Sequence, residues 1–174
     1  MNCRWRGYGW GIVLLITLLA GCGYQFAGSG SFPAGVSQIF ITILENRSAD
    51  TGAESIFTND LIYEFTRNRK ESLAQERSTA DGILTGTIVS LSVENLSRST
   101  VSTAVERRVT GIVNLRLESP DGRILWSSGN IVERETYGVV GGNKTATDLN
   151  RSVAIAAVSK KIAQSAFYRL TDDF

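Results

Sequence analysis

The residues with the most distinctive chemistry are Leu19-Ala20-Gly21-Cys22. A leucine, two small residues and a cysteine closing a short apolar run have the form of a bacterial lipoprotein cleavage and acylation site. The thiol takes a lipid and the chain is cut on its N-terminal side. Small side chains suit that cut, because the peptidase must reach backbone beside an already acylated sulfur. Arg4 and Arg6 supply the positive start of a secretory leader, and Ile12 to Leu19, extended by Ala20, supply its apolar core. That core is too short to span a bilayer, which takes roughly 20 residues. Each buried CH₂ of an attached lipid contributes about 0.8 kcal/mol, so several acyl chains hold a protein at a membrane. The expected organisation is a leader over 1–21, an acylated tether over 22–37 and a single α/β domain over 38–174.

Other chemistry is scarce. The chain has two cysteines, and Cys3 leaves with the leader, so Cys22 has no disulfide partner in the mature protein. There is no histidine, which removes Ser-His-Asp triads, most zinc sites and the commonest general base. Asp60, Glu64, Asp81 and Glu133 show no spacing that demands a paired-carboxylate site, and no catalytic residue, metal ligand or cofactor site is expected. The formal net charge is +1 from 18 basic and 17 acidic residues. Loss of Arg4 and Arg6 shifts it by two, to −1, a balance that argues against nucleic acid as the main partner. Gly138 to Gly142 could pass for a phosphate loop, but Asn143 stands where the glycine before the Lys-Ser/Thr ending is required, and the loop follows an antiparallel strand.

The elements that would carry these residues follow from periodicity. Cys22 to Ser37 is rich in Gly and Ser and contains Pro33, a tether composition. Gln38 to Leu44 is a strand, apolar at almost every position and so expected to be central or buried on both faces. Phe57, Leu61 and Phe65, widened by Ile62, predict a helix over Ala53 to Asn68. Ser72 to Gln75 reads as a short strand. Ile83 to Leu96 alternates, with Val89, Leu91 and Val93 on one face and Ser90, Ser92 and Glu94 on the other. Val105 to Leu117 alternates too, apolar at odd and polar at even positions. Pro120-Asp121-Gly122-Arg123 is a turn from which Ile124 to Tyr137 returns antiparallel. A last helix is expected over Thr147 to Leu170, capped by Asn143 or Thr145. Its apolar arc is Leu149, Val153, Ala156, Ile162, Ala163, Phe167 and Leu170. The expected fold is α+β, a two-layer sandwich with two helices on one face of a mostly antiparallel sheet of about four strands, in the order β-α-β-β-β-α.

In this frame the chain resembles the LptE family of lipopolysaccharide-assembly lipoproteins. The resemblance rests on Cys22-Gly23-Tyr24-Gln25-Phe26 with Gly28, on Leu44-Glu45-Asn46-Arg47 closing the first strand, on Ala80-Asp81-Gly82-Ile83-Leu84-Thr85-Gly86, and on Asp121-Gly122 to Trp126. It implies a protein anchored in the outer membrane that assembles with and plugs a large β-barrel, LptD, and supports insertion of lipopolysaccharide into the outer leaflet. Gly23, where an Asp would signal inner-membrane retention in enteric-type sorting, agrees with that destination.

The resemblance also sets expectations for residues. Cys22 is the lipidation site. Arg108, Arg116 and Arg134 share a parity and would line the polar sheet face, where they either bind lipid A phosphates or pair across strands with Glu106, Glu118 or Glu133. Lys144 and Arg98, read as loop residues at opposite ends of the strand set, match regions where basic residues of the family are implicated in lipopolysaccharide contact. Trp126 and Tyr137 are read as packing residues. Two other functions compete. One is a lipoprotein that binds and activates a cell-wall synthase, disfavoured because a tether of about 15 residues spans only roughly 20 Å. The other is a lipid-anchored hydrolase, disfavoured by the absence of histidine and of free thiols.

Overall fold

The structure is a computed structural model and describes residues 32–98 and 104–172. Cys22 and the leader lie outside the described residues. Among the described residues, five strands form one sheet in four rows. Ile39–Ile41 (β1) and Glu45–Asn46 (β2) lie end to end along Gly82–Arg98 (β3) and run parallel to it. Ala104–Glu118 (β4) and Ile124–Gly138 (β5) follow as antiparallel neighbours. Helices Ala53–Arg69 (α1) and Lys144–Asp172 (α2) supply the second layer. This is the expected α+β fold.

β4 sets the division between the faces. Val109, Val113, Leu115 and Leu117 are fully buried under the helices, and the even positions between them are not. α1 contributes Phe57, Leu61 and Phe65; α2 contributes Val158, Ile162, Ala163 and Phe167. Phe65 joins the helices to the segment before β1, lying 6.2 Å from Phe32 and edge-on to Phe167 at 5.2 Å. Phe32 and Val36, within the segment read as a tether, are therefore buried core residues.

The first strand departs from expectation. It is an edge row, not a central one, and it breaks between β1 and β2. Thr42 N–H donates to Leu84 O and Arg47 N–H to Ile88 O. Between them Leu44 N–H turns away from the sheet and donates to Thr58 Oγ1 of α1 at 3.0 Å, while that hydroxyl donates to Glu54 O. The break buries Leu44 and turns Ile43 outward, 73% exposed. Of the short strand expected at Ser72 to Gln75, only Leu73 bridges, to Ile39.

α2 starts three residues earlier than the apolar pattern suggests, because Asn143 Oδ1 accepts from Ala146 N–H and caps it. Its buried arc also differs at the N-terminal half. Leu149 and Val153 are exposed, and Ala154, Ile155 and Val158 face the core. α2 also reaches over the outer strand. Arg169 Nη1 donates to Ser128 O (3.1 Å) and Asn130 O (3.3 Å), Lys161 Nζ to Arg134 O (3.2 Å), and Asn150 Nδ2 to Gly138 O (2.9 Å).

Candidate functional site

The candidate site is the sheet face that the helices leave open. Its composition comes from the even positions of β4, and its registry from the strand pairing. Thr85, Arg116 and Ser127 form one cross-strand row, and Thr87, Asn114 and Asn130 the next. Ser90, Ile112 and Val132 form the middle row. Ser92, Thr110 and Arg134, then Glu94, Arg108 and Thr136, complete the face. A register shift between Ile88 and Ser90 makes Val89 an extra residue in β3. Alternation alone put Val89 with Leu91 and Val93; the bulge turns it to the open face, 42% exposed, and keeps Leu91 against the core.

Hydroxyls and amides dominate this face, and its charges are mostly paired. Arg108 Nη1 donates to Glu94 Oε1 at 3.3 Å, so the cross-strand partner is Glu94 and not the acids expected from sequence. Arg47, just past β2, grips Glu45 with two hydrogen bonds, Nε to Oε1 at 2.9 Å and Nη2 to Oε2 at 3.1 Å. Thr87 Oγ1 donates to the same carboxylate. The hydrogen bond from Arg47, then that from Thr87, holds the Glu45 carboxyl below its ordinary range, and the same pairing raises Arg47. Arg116 and Arg134 have no hydrogen-bonding or ion-pair partner for their side chains among the described residues.

At the β2 side the face sinks into a shallow depression of about 490 Å³ lined by Ile43, Glu45, Arg47, Thr87, Val89 and Arg116, with Thr42, Thr85, Gly86 and Asn114. Sequence reasoning put Arg116 among the site candidates but not Ile43, Glu45 or Arg47, the last two entering only through the family element. Ile43 lay inside the expected strand, and nothing in the sequence told that the strand would break there. Among the described residues no group of acids, histidines or cysteines could hold a metal ion, and no helix is long and apolar enough to cross a membrane.

A family model for lipopolysaccharide assembly, LptE, matches residues 36–172, nearly all of the described fold. The chain belongs to the LptE family. This is a non-enzymatic family of lipopolysaccharide-assembly lipoproteins, and its theme is the building of the cell envelope. No curated protein matches the chain. Solved structures share its fold. Uncharacterized lipoprotein B of Nitrosomonas europaea is 16% identical with a TM-score of 0.59, over 87% of this chain and 92% of that one. Rare lipoprotein B of Shewanella oneidensis is 16% identical with a TM-score of 0.53, over 75% and 94%. A minor lipoprotein of Acinetobacter baumannii is 14% identical with a TM-score of 0.53, over 79% and 93%.

Within this LptE-family fold the remaining basic candidates sit differently from expectation. Lys144 is the first residue of α2, largely exposed, and pairs with Asp148 one turn on. Arg98 is the last residue of β3 and pairs with Ala104 across the hairpin. Glu106 pairs with Gly138, so the end of β3, the start of β4 and the end of β5 share one end of the sheet. Arg98 and Lys144, six residues past Gly138, therefore belong to the same end, not to opposite ends. Arg108 and Arg116 lie on the open face with Arg134, as their parity predicts.

Proposed function

We propose that this chain is an outer-membrane lipoprotein, acylated at Cys22 and facing the periplasm. In this reading it assembles with and plugs an LptD-type β-barrel and supports delivery of lipopolysaccharide to the outer leaflet. The observation that carries the reading is the family match across 36–172. The leader ending in Leu19-Ala20-Gly21-Cys22 adds to it. A sheet with one core face and one long polar face suits a domain that needs a second surface against its partner.

Lys144 and Arg98 are the basic residues assigned to lipopolysaccharide in this reading. Their shared end of the sheet supports a joint role, and the exposure of Lys144 leaves its ammonium free to exchange Asp148 for a phosphate at small cost, since surface pairs are worth about 0–1 kcal/mol. Arg108 is a weaker candidate for phosphate, being tied to Glu94.

The test is recovery of C-terminally tagged protein from detergent-solubilised outer membrane, read by mass spectrometry. A near-stoichiometric large β-barrel with bound lipopolysaccharide is the expected result. Recovery of a cell-wall synthase in its place, or of nothing reproducible, overturns the assembly reading.

A further inference from the structure

We infer that the depression between Arg47 and Arg116 is a docking point for an acidic segment of the barrel partner, with Arg116 as its anchor. This rests on the assembly reading above and adds the surface and the chemistry of what it meets. Three observations lead to it.

Charge comes first. Two guanidinium groups line one depression, but Arg47 is already held by both oxygens of Glu45. Of these two, Arg116 has no acid partner among the described residues. The site therefore offers a single uncompensated positive charge beside a fixed carboxylate. A phosphate, carrying up to two negative charges, would exceed that one positive charge in a depression that Glu45 also lines. One Asp or Glu carboxylate matches the single free guanidinium, which binds such a group through two parallel hydrogen bonds.

The second observation is apolar. Ile43 and Val89 stand 73% and 42% exposed at the depression because the break before β2 and the bulge in β3 turn them outward. Aliphatic area next to an arginine, with polar groups around it, is the composition of an interface centre. The third is the lining. Thr87 donates to Glu45 and so helps hold Arg47 in place, leaving the floor of the depression pre-arranged before anything binds.

The experiment compares wild type with Arg116→Glu and Arg116→Lys as tagged full-length lipoproteins. It reads barrel recovery from outer membrane, and lipopolysaccharide retention by each purified protein. Arg116→Glu should lower barrel recovery at least about tenfold, with lipopolysaccharide retention and thermal melt unchanged, and Arg116→Lys should restore part of it. A photo-crosslinking residue at Ile43 in the otherwise wild-type chain should capture a barrel peptide containing Asp or Glu. Loss of lipopolysaccharide retention with barrel recovery intact would assign the depression to a lipid phosphate and overturn the inference. Unchanged recovery with no barrel crosslink overturns it as well. If wild type itself recovers no barrel, the assembly reading is what has failed, and this inference falls with it.

Discussion

Gly111 has no room for a methyl group. A Cβ built there would lie 2.6 Å from Val158 and 3.3 Å from both Ile162 and Leu91. The glycine lets α2 settle onto β4, and its φ is not the reason for it. Gly111→Ala should lift the helix and destabilise the fold by about 1–3 kcal/mol, the usual cost of overpacking a core, measured as a shift in urea midpoint with unchanged slope. Other residues divide by how local their logic is. The shared face of Arg108, Arg116 and Arg134 was legible, because alternation along β4 fixes parity. Their partners were not: Glu94 meets Arg108 only through the register of β3 against β4, and Arg47 meets Glu45 only because the chain leaves the sheet between β1 and β2. Leu149 and Val153 were misassigned since helical spacing finds an apolar stripe without telling which stripe the sheet covers.

Among elements, α1, β4 and the hairpin into β5 followed from the sequence, as their patterns are long and their turn chemistry explicit. The interrupted edge row did not, because Thr58 of α1 supplies the hydroxyl that draws Leu44 N–H off the ladder, a contact fourteen residues away. α2 and β5 are joined by a titratable contact. Lys161 Nζ donates to Glu135 Oε2 at 2.7 Å, and this hydrogen bond holds the Glu135 carboxyl below its ordinary range. A carboxylate depressed in the folded state stabilises it above the unfolded pKa of about 4.3, and that contribution is lost as pH falls through the folded value. Lys161→Met removes the cause, so the fall in melting temperature between neutral pH and about pH 3 should be shallower than in wild type. Thermal melts across that window check the sign.

At the scale of the whole molecule, the proposed lipid attachment would decide where the fold works. If Cys22 carries the anchor, Cys22→Ser should move the protein from the membrane pellet to the soluble fraction and abolish palmitate labelling, with the melt of the folded domain unchanged. A cysteine variant that stays in the pellet and still labels would end that proposal. A protein held to a surface meets its own copies in two dimensions, where collisions are frequent and orientations shared. An outer strand with open carbonyls is then an invitation to pair with a neighbour's strand. The reach of Asn150, Lys161 and Arg169 from α2 to the carbonyls of Gly138, Arg134, Ser128 and Asn130 withdraws that invitation along β5. At the other rim the row is broken into two short strands. Sheet growth is thus discouraged at both rims, which on the proposed reading would keep crowded copies individually available for a partner at the open face.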